Sequence, residues 1–135
     1  MPVNIDVRAI DARATIRAVA AGRIALGASF LVAPGLALRA WPGRPGSTVD
    51  DRAVARLLAR SVGGRDVALG VGALLALSHD APVRGWVEAG MLADTVDALA
   101  IALASRRLPR LRAAVMFALA AGTAAAGRRL ASSLG

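Results

Sequence analysis

Residues 54–78 read VARLLARSVGGRDVALGVGALLALS and residues 83–105 read VRGWVEAGMLADTVDALAIALAS. Arg56, Arg84 and Glu88 lie near the starts of these stretches, and five ionisable side chains lie deeper inside them: Arg60, Arg65 and Asp66 in the first, Asp94 and Asp97 in the second. A charge at the centre of an apolar membrane helix costs on the order of 2.5–3.5 kcal/mol unless it is paired or wetted, so such residues belong in the interior of a helical bundle. The remainder of the first stretch, residues 67–77, is apolar on every side, and so is 113–127 apart from Thr123. A helix apolar all round needs burial on all sides or lipid. A chain of 135 residues has too little interior to bury several such helices at once, so lipid is the reading favoured over a soluble Ala-rich bundle.

Two further apolar segments flank these, giving approximate spans at 16–38, 54–78, 83–105 and 111–129. The uninterrupted part of the first is shorter than the roughly 20 residues a bilayer requires, so its flanks must be included and Arg17 and Arg23 must snorkel or face protein. Pro34-Gly35 lies near its end. The following AWPGRPGSTVDD contains Pro42, Pro45 and glycines that stop the helix, and Trp41 suits a membrane interface. Ser78-His79-Asp80-Ala81-Pro82 forms a short turn that returns the next helix antiparallel. Four segments joined this way predict one domain over residues 1–135, an all-α, four-helix transmembrane bundle with antiparallel up-down topology.

Composition agrees. The chain is 56% apolar with a mean hydropathy of +0.56, has 14 Gly, and is only 3% aromatic. Gly63, Gly64, Gly70 and Gly72 remove side chains where another helix backbone can approach. The formal charge is +8, with all 17 basic residues Arg. They are spread along an apolar chain with no aromatic platform between them, which argues against nucleic acid and for contact with membrane phospholipid. Loops one and three hold Arg39, Arg44, Arg52, Arg56, Arg106, Arg107, Arg110 and Arg112, against Arg8, Arg13, Arg17, Arg84, Arg128 and Arg129 opposite. That is a slight vote for termini outside the cytoplasm. Residues 1–13 mix polar and apolar side chains and show no cleavable signal pattern.

Asp94 and Asp97 are three apart and project from one helical face. Asp94 follows Pro82 by 12 residues and Arg65 precedes His79 by 14, placing both about 18–21 Å from the turn at 1.5 Å per residue. The depth match predicts that Arg65 bridges Asp94 and Asp97, with Arg60 nearby. These pairs either lock two helices together or form a reactive site in which Asp94 and Asp97 act as a coupled acid and base, assisted by Arg65 and Asp66. Absence of Cys removes thiolate chemistry, and a single His79 beside Asp80 completes no metal set, so no metal and no cofactor are expected. Glu88, early in the third segment, suits the helix dipole, and Met91 and Met116 are packing residues. The phrases Gly22-Arg23-Ile24-Ala25-Leu26-Gly27 and Gly64-Arg65-Asp66-Val67-Ala68-Leu69-Gly70 match with one insertion, as a duplicated hairpin would, although a chain this rich in Ala, Leu, Gly and Arg produces such a match readily by chance, which is the favoured reading. No Walker loop, dinucleotide fingerprint or nucleophile elbow is present.

Gly22-Arg23 with Gly27, the glycine-rich Arg65-Asp66 helix and Asp94-x-x-Asp97 resemble features of the small bacterial four-helix membrane proteins grouped as DoxX-like. The resemblance covers residues 22–129 and implies a multi-pass location in the cell membrane, with membrane lipid, a lipid-like or quinone-like ligand, and a homo-oligomer or larger membrane complex as expected partners. Without Cys or a His pair, a haem or thiol role does not follow. The expected function is a small accessory or ligand-binding integral membrane protein. A membrane-embedded acid/base enzyme of isomerase or hydrolase type acting on an apolar substrate, or a small proton-coupled transporter, are the rivals.

Overall fold

The computed structural model describes residues 7–40 and 48–134. These form α1 (Val7–Val32), α2 (Pro34–Ala40), α3 (Val49–Ser78), α4 (Arg84–Ala104) and α5 (Arg110–Ser133), with one 3-10 turn, Ser105–Arg107, ahead of α5. The described residues contain no strand. The interface expectation for Trp41 and the helix-stopping role of Pro42 and Pro45 fall outside them.

The first apolar segment, expected over about 16–38 with Pro34-Gly35 near its end, is covered by two helices. Ala33 leaves the helical conformation and Pro34 opens α2, at the first helical position where its missing N–H costs nothing and its fixed φ is already helical. The charged flanks are helical too. Thr48 caps α3, its hydroxyl accepting from the Asp51 amide while the Asp51 carboxylate accepts from the Thr48 amide, so a reciprocal capping box starts α3 at Val49, ahead of residue 54. At its far end the Ala81 amide donates to the Ala76 carbonyl at 2.8 Å, and Asp80 takes φ 50. This is a Schellman-type stop with Asp where Gly is usual, a position Asp tolerates better than most residues.

Two helices, over Asp11–Val32 and Val49–Ser78, are long and apolar enough to cross a membrane. In α4 the acids Glu88, Asp94 and Asp97 break up the apolar run, and in α5 Ala and Gly dominate between terminal arginines.

α1 packs most extensively on α3, and α4 on α5, while α3 and α4 touch lightly. Direction follows from the contacts. Arg13 reaches Asp80 and the Leu77 carbonyl, Gly70 abuts Ala20, Gly63 abuts Gly27, and Arg60 reaches the Leu31 carbonyl, so α1 and α3 are antiparallel. The α1–α3 contact depends on missing side chains. A Cβ on Gly27 would lie 2.5 Å from the Gly63 carbonyl oxygen, one on Gly63 would lie 2.5 Å from the Gly27 carbonyl oxygen, and one on Gly70 would lie 2.6 Å from that of Ala20. Gly72 serves α4 instead, since a Cβ there would collide with the Trp86 ring, and Gly127 receives Met91 across α4 and α5.

Small residues dominate the core. Among the described residues its buried apolar members are Ala12, Ala20, Ala59, Ala73, Ala76, Ala98, Ala113 and Ala131, with Ile16, Phe30, Leu77 and Val83 the larger ones. Ile16, Ala20, Ala73, Ala76, Leu77 and Val83 form one cluster at the end that holds the 79–82 turn, with Leu130 of α5 and Leu134 just beyond it packed against it. Ala and Gly at the contacts bring backbones close, the packing used where helix association depends on fit and dispersion.

Candidate functional site: a five-membered ion chain beside a cavity

Near the middle of α1, α3 and α4, alternating charges form a chain running Asp94, Arg23, Asp66, Arg65, Asp97. Arg23 Nη2 donates to Asp94 Oδ2 at 2.5 Å and to the Gly90 carbonyl at 3.1 Å, and its Nη1 donates to Asp66 Oδ1 at 3.3 Å. Arg65 donates to that same Asp66 oxygen from Nη2 at 3.1 Å and Nε at 3.3 Å. It then grips Asp97 with two parallel bonds, Nη1 to Oδ1 at 3.1 Å and Nη2 to Oδ2 at 2.8 Å, the bidentate fork that suits guanidinium to carboxylate. Asp66 is thus the shared centre.

Burial grades along the chain. Asp66 and Asp94 are 5% and 8% exposed, and the Arg23 side chain is also largely enclosed, whereas Arg65 and Asp97 are about one-third open. Ions removed from water this far are tolerable only with close partners and further hydrogen bonds. The Gly90 carbonyl supplies one such bond to Arg23, and a glycine there leaves room for the guanidinium, which lies 3.2 Å from where a Cβ would stand.

Of the five residues expected from the sequence, Arg65, Asp66, Asp94 and Asp97 come together. Arg60 does not. It donates to the Leu31 carbonyl at 3.3 Å and is exposed, because five residues before Arg65 it sits more than a turn nearer the start of α3 and on a different side of it. The expected bridge from Arg65 to both Asp94 and Asp97 is also replaced. Residues three apart on a helix diverge by about 60° at 3.6 residues per turn, so Asp97 points to Arg65 while Asp94 points across to α1. Arg23 is the member the sequence reading missed. Its signal was a lone Arg in an apolar segment that had to face protein or snorkel, but its depth could not be counted, because α1 and α3 are joined through α2 and residues 41–47 rather than by a tight turn.

The matching phrases around Arg23 and Arg65 have a structural counterpart: the two arginines reach the same Asp66 from paired helices. His79 is exposed in its turn, its Nδ1 2.8 Å from the Leu75 carbonyl. No group of acidic and His residues suited to a metal ion occurs among the described residues.

A cavity of about 550 Å³ opens beside the ion chain, within the range of roughly 300–1,000 Å³ usual for small-molecule sites. Arg23, Asp66, Asp94 and Asp97 form its polar wall. Facing them are apolar side chains from α1 and α5, among them Leu26, Phe30, Met116 and Leu119. α5 adds no charged side chain to the lining. A few convergent polar groups in an otherwise apolar hollow are what orient a largely apolar ligand. No protein-family model, curated protein or solved structure matches this chain.

Proposed function

We propose that this chain is a small multi-pass protein of the cell membrane, a four-helix transmembrane bundle of antiparallel up-down topology, whose central cavity binds an apolar, lipid-like or quinone-like ligand beside the ion chain. One observation carries the reading: burial is inverted relative to a protein folded in water. Asp66 and Asp94 are inside, at 5% and 8% exposure, while Val32, Leu58, Leu99 and Val115 stand outside at 84%, 60%, 58% and 51%. Isolated exposed leucines are ordinary, but buried charges combined with large aliphatic side chains outside on every long helix are not. Lipid resolves both, since it takes the aliphatic exterior and forces charges inward into pairs.

Two of the long helices meet the usual length and apolarity for a span. The other two fit the same membrane on a physical argument. α4 has 21 residues, about 32 Å at 1.5 Å per residue against a hydrocarbon core of about 30 Å, and its Asp94 and Asp97 turn inward to guanidinium partners. Its outer face presents Leu92, Val96, Leu99 and Leu103. α5 is longer at 24 residues and keeps its arginines at its ends. The DoxX-like resemblance implies the same location.

The ion chain favours a holding role over acid/base chemistry. Asp94 and Asp97 engage different guanidiniums and share no contact, so the coupled carboxyl pair that an acid/base enzyme would use lacks geometric support. With α3 and α4 touching lightly, the chain ties the α1–α3 pair to α4 and sets one wall of the cavity. The experiment is carbonate washing of membranes from expressing cells, followed by detergent extraction and mass spectrometry of small molecules that co-purify. Retention in washed membranes with a bound apolar molecule is expected. Recovery as a soluble monomer contradicts the membrane assignment, and ligand-free protein in washed membranes contradicts the binding role.

A further inference from the structure

We propose that the ligand of this cavity carries a positive charge: it is a lipophilic cation, of the ammonium or phosphonium type, and not an anionic lipid. The inference rests on the membrane-cavity reading above and deepens it by charge count and donor count. Three carboxylates, Asp66, Asp94 and Asp97, face two guanidiniums, Arg23 and Arg65. The charged groups lining the cavity are even more one-sided, with those three acids against Arg23 alone. The remaining lining from α5, including Met116, Leu119 and Thr123, is uncharged.

Most of the donors are also committed, seven of the ten guanidinium N–H groups. Arg23 gives Nη1 to Asp66 and Nη2 to Asp94 and the Gly90 carbonyl, and Arg65 gives Nε, Nη1 and Nη2 to Asp66 and Asp97. An anionic headgroup entering here would meet guanidiniums already neutralised and three like charges. Acceptors, by contrast, are in surplus. Both guanidiniums converge on Oδ1 of Asp66, leaving its Oδ2 with no hydrogen-bond donor among the described residues, and Oδ1 of Asp94 is in the same position. The Asp66 side chain is more than nine-tenths buried and that of Asp94 almost as deeply, and both line the cavity. In a low-dielectric enclosure, an unmatched negative charge selects a cation that can shed its own water cheaply, meaning one whose charge is shielded by apolar substituents. The apolar wall of Leu26, Phe30, Met116 and Leu119 takes those substituents.

The test uses ions of one shape and opposite charge on the full chain in a non-ionic detergent. Saturable binding above that of empty micelles is measured by equilibrium dialysis for tetraphenylphosphonium, tetraphenylborate and neutral triphenylmethane. The expected result is saturable binding of tetraphenylphosphonium at least about tenfold tighter than either of the others. Asp66→Asn should remove that preference while the protein still folds, because two acids then face two guanidiniums. Ala120→Phe, on the apolar wall, should block binding with the ion chain intact. Tetraphenylborate or triphenylmethane binding as tightly as the cation overturns the charge inference and leaves the cavity reading standing. Saturable binding of none of the three overturns both. A cation preference that survives Asp66→Asn in a folded protein also overturns the inference, since the carboxylate would not be its source.

Discussion

Adjacent glycines on α3 should respond in opposite directions to the same substitution. At Gly63 a Cβ would lie 2.5 Å from the Gly27 carbonyl oxygen, 2.8 Å from Phe30 Cβ and 3.3 Å from the Leu31 amide nitrogen. Comfortable carbon–oxygen and carbon–carbon separations begin near 3.3 and 3.5 Å, so Gly63→Ala asks the α1–α3 interface to open by about 0.7–0.8 Å. The obstacles are largely backbone, so no side chain can swing aside. A gap of 0.5–1 Å forfeits roughly a quarter to a half of each contact's dispersion energy, and this is the most extensive helix contact in the molecule. Overpacking of this kind costs about 1–3 kcal/mol, against which Ala regains up to about 1 kcal/mol of helix propensity over Gly. The net expectation is a loss of about 1–2 kcal/mol. At Gly64 a Cβ meets nothing within 4 Å, so Gly64→Ala should be neutral or gain up to about 1 kcal/mol. A gap of about 2 kcal/mol separates the two, roughly a 30-fold difference in the unfolding equilibrium. The assay is SDS-driven unfolding of the detergent-solubilised protein followed by far-ultraviolet circular dichroism. If Gly63→Ala proves as stable as Gly64→Ala, α1 and α3 do not meet backbone to backbone at Gly27 and Gly63.

Loss of an arginine should rank by what it leaves behind. Arg23→Gln strands the buried Asp94, leaves Asp66 with Arg65 alone and should cost about 3–5 kcal/mol, whereas Arg60→Gln, at an exposed position, should stay within about 0.5 kcal/mol of the parent in the same unfolding assay. At the α3–α4 turn, Asp80→Val places a β-branched residue at φ 50 and should lose about 1–2 kcal/mol. Asp80→Gly should remain within about 1 kcal/mol of the parent, because relief of the left-handed backbone offsets loss of the solvent-screened Arg13 pair. Thr48→Ala removes the cap of α3 and should cost about 1 kcal/mol, with early hydrogen exchange confined to the first turn of that helix.

The helices were legible because apolar density, the turn at 79–82 and the glycines are all local signals. Depth counting across that tight turn brought α3 and α4 acids and Arg65 to one level, since 1.5 Å per residue is a reliable ruler when both arms start together. It failed on direction: helical phase sends Asp94 to α1 and Asp97 to Arg65, and phase needs the rotation of each helix about its axis, which packing fixes. Arg23 was illegible as a partner because its register relative to α3 is set by the Gly27–Gly63 and Ala20–Gly70 contacts, which join residues far apart in sequence. The cavity could not be read from the sequence at all, being the space that the packed helices fail to fill. Pro34 marked the end of α1, but a helix restarting on that same Pro is a matter of local backbone geometry.

Lipid exposure of the aliphatic outer face is the central claim, and thiol accessibility tests it directly because the natural chain has no Cys. Leu99→Cys places a thiol on the outer face of α4, and Ser78→Cys places one at the exposed end of α3. A charged maleimide reacts with thiolate, which forms in water and not in hydrocarbon. In opened native membranes, where both surfaces meet the reagent, Ser78→Cys should label readily and Leu99→Cys at least about tenfold more slowly. Equal labelling of the two would mean that the leucine face of α4 lies in water, and would contradict the membrane account.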